Sequence, residues 1–126
     1  MKKHYILVDD DVTNNLICEF TIKKFDEQAE IRVFTNPELA LESLKGFSEG
    51  NKPIMFLDLN MPTMTGWEFL EYFNTLDPKI KDKFSVYILT SALDNGDMKH
   101  FDYPFLKGFL SKPLQTTYLE NIVEKG

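Results

Sequence analysis

Short apolar runs punctuate the chain at fairly even intervals, at residues 5–8 (YILV), 31–34 (IRVF), 54–57 (IMFL) and 86–89 (VYIL), with a shorter one at 109–110. Between them the apolar residues recur at helical spacing. Residues 13–25 place Leu16, Ile17, Phe20 and Phe25 near one helical face, with Asp11 or Thr13 as the capping residue. Asn36 followed by Pro37 is a helix start, a cap and then a first-turn proline, and Leu41, Leu44 and Phe47 carry the stripe on until SEGNKP stops it. Trp67, Leu70 and Phe73 recur every third residue after Gly66, and Tyr118, Leu119, Ile122 and Val123 share one side of residues 115–125. Residues 93–107 fit worst. Asn95-Gly96, Asp102 and Pro104 disfavour a long regular helix there, so a short or irregular segment is expected.

Strands that alternate with helices imply βαβ units and a mainly parallel sheet covered on both faces, which is why IMFL and VYIL are apolar throughout. The expected fold is a three-layer α/β domain of five units, occupying residues 1–126 as one domain. Open sheets of this kind gather ligands at the carboxyl ends of their strands, near the switch in strand order. Asp9 and Asp10 end the first strand, Asp58 the third, Thr90 and Ser91 the fourth, and Lys112 lies just past the fifth. All meet at one edge.

Length and charge narrow the function. A chain of 126 residues suits a single core, and its 43% apolar and 27% charged residues suit a folded domain with a solvated surface. Twenty acidic against fourteen basic side chains give a formal charge of −6, which repels phosphate backbones and anionic lipid. Neither direct nucleic-acid binding nor membrane association is expected. Cys18 is the single cysteine, so no internal disulfide can form, and the apolar stretch after Lys2 and Lys3 ends at Asp9, too early for a signal peptide. A cytoplasmic location is the default expectation.

Carboxylates that converge without a counter-charge repel one another, so the cluster of Asp9, Asp10 and Asp58 needs a cation. Hard oxygen donors favour Mg²⁺, and no His and Cys cluster offers a zinc alternative. Lys112 and Thr90 suit the oxygens of a phosphoryl group instead. Together they point to a carboxylate nucleophile that forms an acyl phosphate. Taken singly, each feature has a plainer reading: Asp9–Asp11 as a capped acidic turn, Lys112 as a surface lysine, Phe109 as a core aromatic, Cys18 as a small buried hydrophobe. His4 and His100 have no acidic or metal-ligand residues at a telling sequence spacing, so a phosphohistidine role is not expected of either.

The motifs ILVDDD, FLDLNMPTMTGWEFL, ILTS and FLSKPL, in this order and spacing, resemble the receiver domain of two-component response regulators over essentially the whole chain, in particular the stand-alone, chemotaxis-regulator-like kind. The resemblance implies a flavodoxin-like sandwich with a five-stranded parallel sheet in the order 2-1-3-4-5 and five helices. It implies Asp58 as the phosphorylated residue, Asp10 as a direct Mg²⁺ ligand, Asp9 acting through water or by orienting it, and the Asn60 carbonyl as a further metal oxygen. Thr90 and Ser91 would meet the phosphoryl oxygens, Lys112 would bond them, and Phe109 would turn inward as Thr90 moves. A cis Lys112-Pro113 bond would aim Lys112 inward. The partners implied are a histidine kinase or histidine phosphotransfer protein and a downstream protein target. Asn60 and Ala92 stand where the family tunes hydrolysis.

Such a domain catalyses only its own phosphorylation and dephosphorylation and is not otherwise an enzyme. An aspartyl phosphatase of the haloacid dehalogenase type would need a second aspartate two residues on, where this chain has Asn60. A receiver-shaped module that binds partners without phosphorylation is the remaining alternative, against which the intact acceptor positions argue. With nothing after Gly126, the expectation is a stand-alone regulator, a relay intermediate or one piece of a longer chain.

Overall fold

The computed structural model describes residues 2–47, 52–91 and 102–125. Strands β1 (His4–Val8), β2 (Glu30–Phe34), β3 (Ile54–Leu57), β4 (Ser85–Thr90) and β5 (Leu106–Ser111) form one parallel sheet in the order β2-β1-β3-β4-β5. The helices are α1 (Val12–Phe25), α2 (Pro37–Leu44), α3 (Gly66–Asn74), α4 (Pro78–Lys81) and α5 (Thr116–Lys125). Strand order agrees with expectation, five helices lie among the described residues, and α2 starts as its sequence predicts, with the Asn36 side chain accepting from the Leu39 N–H and Pro37 in the first turn.

Side chains alternate across a strand, so parity assigns each strand residue to a layer. Ile6, Val8, Met55, Leu57, Val86 and Ile88 pack with Ala40, Leu41 and Leu44 of α2 and Phe69, Leu70 and Phe73 of α3. Tyr5, Leu7, Ile54, Phe56 and Leu89 pack on the other face with Cys18 and Ile22 of α1 and Leu119 and Ile122 of α5. Both faces are covered. Uninterrupted apolar runs are the sequence trace of that double burial.

Two expectations need adjusting. The helical connection between β3 and β4 comes as two pieces, α3 and the one-turn α4, because Asp77 and Pro78 restart the helix. Most of the segment expected to be irregular, residues 93–107, lies outside the described residues; at its described end Pro104 and Phe105 form a turn, and Leu106 and Lys107 already belong to β5.

The larger correction concerns α1. Leu16, Ile17 and Phe20, expected on the core side, face solvent, and with Val12 they stand 62%, 42%, 71% and 61% exposed respectively. Buried in their place are Asn14, Asn15, Cys18 and Ile22. Each large apolar side chain left in water forgoes about 1.5–3 kcal/mol of burial. The rotation of the helix is set by hydrogen bonds at its first turn, which apolar periodicity does not register.

Candidate functional site

Register builds the site. Val8 pairs with Leu57 across β1 and β3, so the next residues, Asp9 and Asp58, emerge side by side at the carboxyl ends of adjacent strands. The main chain holds them there: the Asp58 N–H donates to the Val8 carbonyl at 3.0 Å and the Asp9 N–H to the Phe34 carbonyl at 3.1 Å. The chain runs from β1 outward to β2 and then returns to β3 on the other flank of β1, which makes this the switch point of the sheet.

Lys112 comes from beyond β5, its N–H bonded to the Thr90 carbonyl at 2.9 Å, and the Lys112-Pro113 peptide is cis, as the family resemblance implies. Its ammonium lies 2.9 Å from Asp9 Oδ2 and 3.3 Å from Asp58 Oδ1, with the three side chains only 17%, 5% and 7% exposed. Thr90 is fully buried at the end of β4, while Ser91 and Asp10 are exposed. Asn60 is exposed as well, and its backbone N–H donates to Asp58. Phe109 is half-buried and packs on Trp67 at 6.0 Å between ring centres, against the apolar core on the α2 and α3 side of the sheet. Ala92 and His100 lie outside the described residues.

The loop after Asp58 is held tightly against α3. Gly66 donates to the Leu59 carbonyl at 2.8 Å, and a Cβ there would stand 2.6 Å from the Asp58 carbonyl oxygen and 2.9 Å from Leu59 Cα. Only glycine fits. Thr65 and Glu68 then close a capping box, which fixes where the helix begins.

Electrostatics at the cluster are unbalanced. Burial and the neighbouring Asp9 charge push the Asp58 carboxyl above the ordinary carboxylate range, against the downward pull of Lys112 and of the Asn60 N–H. Burial opposes the Lys112 charge, but Asp9 and Asp58 more than offset it and hold the ammonium above the ordinary lysine value. Lys112 is shared by Asp9 and Asp58, and Asp10 adds a third carboxylate to the cluster. Asp9, Asp10 and Asp58 can bring one oxygen each within 4.8 Å of one another, an all-oxygen donor set that suits a hard divalent ion such as Mg²⁺.

Two residues escaped the sequence reading. Asn14 donates through Nδ2 to Asp9 Oδ2 at 2.8 Å, and Asn15 donates through Nδ2 to the Asp9 carbonyl at 2.9 Å. Two adjacent asparagines inside a helix, where they are poor formers, were the available signal. Cys18 sits beneath them as a buried free thiol, pushed up to about 12 chiefly by burial and then by the Asp9 charge.

Residues 5–124 match the family model of the response regulator receiver domain. The chain is 28% identical over 122 residues to a chemotaxis protein CheY of Listeria monocytogenes, covering 96% of each. Among solved structures it is similar to a two component response regulator from Cytophaga hutchinsonii, at 29% identity and a TM-score of 0.86, covering 99% of this chain and 97% of that one. A response regulator receiver protein from Dyadobacter fermentans shares the fold at a TM-score of 0.87 and 23% identity, covering 98% and 96%.

Proposed function

The chain belongs to the response regulator receiver domain family, and from that premise we propose that it is the phosphoacceptor of a two-component relay, with Asp58 as the acceptor. The observation that carries this reading is the pairing of a buried carboxylate of raised proton affinity with Lys112 at 3.3 Å. A desolvated carboxylate is the better nucleophile, and the lysine beside it can follow the charge that a phosphoryl group brings.

In the proposed step an Asp58 oxygen attacks phosphorus in line. The bond from phosphorus to the donor, a phosphohistidine nitrogen or the oxygen of a small acyl phosphate, breaks and its electron pair leaves with the donor. An aspartyl phosphate anhydride results. Asp9, Asp10, Asp58 and the Asn60 carbonyl would hold Mg²⁺, which when bound would supply neutralising charge for the phosphoryl oxygens. Lys112 moves its ammonium from the two carboxylates to the new oxygens, Thr90 donates its hydroxyl, and the Ser91 N–H offers a third donor. Phe109 fills space released as Thr90 moves, which alters the surface beside β5.

A protein donor must cover the rim of a carboxylate this deeply set. The exposed row of Val12, Leu16 and Phe20 begins directly after Asp10 and Asp11 at that rim, and it is the surface we assign to the donor. Phe20→Glu should leave labelling by acetyl phosphate unchanged. Across a panel of autophosphorylated histidine kinases it should slow transfer from the competent one about tenfold or more, the loss of roughly 1.4 kcal/mol of contact. Equal transfer rates would move the donor surface elsewhere.

Intact-mass spectrometry after incubation with acetyl phosphate tests the acceptor reading. The expected result is a single phosphoryl gain that requires Mg²⁺. If acetyl phosphate gives no gain, beryllofluoride with Mg²⁺ decides: binding keeps the acceptor reading and implies a strict need for a kinase, whereas no binding favours a module that works without phosphorylation.

A further inference from the structure

We propose that Asn14 is a positioning residue that locks the Asp9 carboxylate toward the cluster and so gives the site its preference for Mg²⁺; this rests on the reading of Asp9, Asp10 and Asp58 as a divalent-cation centre. The Asp9 side chain is pinned on both oxygens. Oδ1 accepts the Asp11 N–H at 2.9 Å, and Oδ2 accepts both Asn14 Nδ2 at 2.8 Å and Lys112 Nζ at 2.9 Å. Asn15 holds the same residue by its main chain, donating to the Asp9 carbonyl at 2.9 Å.

The amide orientations follow from chemistry. A carboxylate and a carbonyl can only accept, so turning either amide over would set oxygen against oxygen. For Asn15 that orientation leaves Oδ1 buried with no hydrogen-bond partner among the described residues, beside a small void of about 10 Å³ bordered by Asp9, Asn14, Cys18 and Asp58. Asn14 and Asn15 are 7% and 3% exposed, on a helix that leaves Val12, Leu16 and Phe20 in water. Buried amides are retained where their hydrogen bonds are required. Here the bonds from both amides to oxygen end on Asp9, and Asn14 Nδ2 has the Cys18 sulfur, at 3.7 Å, as its other partner.

The two donors to Asp9 Oδ2 differ in permanence. Lys112 also faces Asp58, and in the proposed reaction it is drawn away to phosphoryl oxygens. Asn14, fixed in the first turn of α1, is the donor that stays. A carboxylate held by such a partner presents its remaining lone pairs in one direction, which matters most for Mg²⁺, because that ion demands near-ideal octahedral geometry while Ca²⁺ tolerates irregular sites.

The test is calorimetric titration of the full chain with Mg²⁺ and, separately, with Ca²⁺, for wild type, Asn14→Leu and Asn14→Ala. Leucine keeps the volume and removes the donor. Mg²⁺ affinity should fall about tenfold or more while Ca²⁺ affinity changes far less, so that selectivity narrows. Unchanged affinity for both ions, or an equal loss for both, would overturn the proposal, since a purely structural role changes melting temperature and does not change selectivity. Should wild type itself bind no Mg²⁺, the cation reading of the cluster fails and this inference with it, a result distinct from the first two. Should both variants unfold, nitrogen-15 spectra of wild type decide: the Asn14 side-chain amide must stay protected from exchange with and without Mg²⁺, and rapid exchange in either state would overturn the proposal.

Discussion

Asp58→Asn is expected to abolish phosphoryl labelling by acetyl phosphate and at the same time to yield a more stable protein in the absence of Mg²⁺. The loss is complete because an amide is no nucleophile for phosphorus at neutral pH, and the volume is nearly unchanged, so the fold survives. The gain follows from the sign of the Asp58 shift. A carboxyl whose proton affinity is raised by folding, through burial and then through Asp9, binds more protons folded than unfolded. Its contribution to stability is therefore full below the ordinary carboxylate range and is lost as pH rises through the raised folded value. Above the raised folded value the ionised group is a net cost, and asparagine removes it. A gain of about 1 kcal/mol, or roughly 4 °C in melting temperature for a domain of this size, is expected. The difference between the two proteins should shrink on acidification, where wild type is itself neutral at Asp58. Mg²⁺ should reverse the order by stabilising wild type more. Thermal melts across pH with and without Mg²⁺ read all three effects, and a variant that is less stable at neutral pH without Mg²⁺ would contradict the account.

Lys112→Met is the second large effect and has the opposite sign. Its ammonium bridges two buried carboxylates at 2.9 and 3.3 Å, so removing it leaves both uncompensated. Breaking a buried pair from one side costs about 3–5 kcal/mol, and the partial exposure of Lys112 lowers the expectation to about 2–3 kcal/mol at neutral pH. The lysine is held above its ordinary value, so its stabilisation is present at all pH values below the ordinary lysine range and is lost only as pH rises through the folded value. Acid should shrink the defect, as the orphaned carboxylates take up protons. Mg²⁺ should also rescue this variant more than wild type, because the ion then supplies the positive charge that Lys112 no longer brings to the two carboxylates. The labelling rate with acetyl phosphate should fall by about two to three orders of magnitude, the usual loss when one donor to a developing anionic charge is removed. Labelling at the wild-type rate would take Lys112 out of the phosphoryl site.

Much of the molecule was legible without coordinates. Strand positions, the parallel sheet and the start of α2 at Asn36 and Pro37 follow from local rules, because a strand covered on both faces must be apolar throughout and a cap followed by proline has few other uses. The acidic edge was equally legible, since parallel strands bring their carboxyl ends together whatever fills the rest of the chain. Gly66 was visible as a glycine, but its reason was not: only the approach of α3 to the Asp58 carbonyl, where a Cβ would stand at 2.6 Å, shows that no side chain fits.

What the tertiary structure alone decided is the rotation of α1 and the company Asp9 keeps. Apolar spacing placed Leu16, Ile17 and Phe20 toward the core, yet they face water while Asn14 and Asn15 are buried. Hydrophobic periodicity reports only the transfer of apolar surface. At the first turn of this helix the competing term is the need of a buried carboxylate and its carbonyl for donors, and that need arises only once β1, β3 and the residue after β5 have been brought together. From the sequence, Asp58 and Lys112 lie far apart and Asn14 is one polar residue in a helix. Folding converts a distance along the chain into 3.3 Å between charges, and the chemistry of the edge follows from that contact.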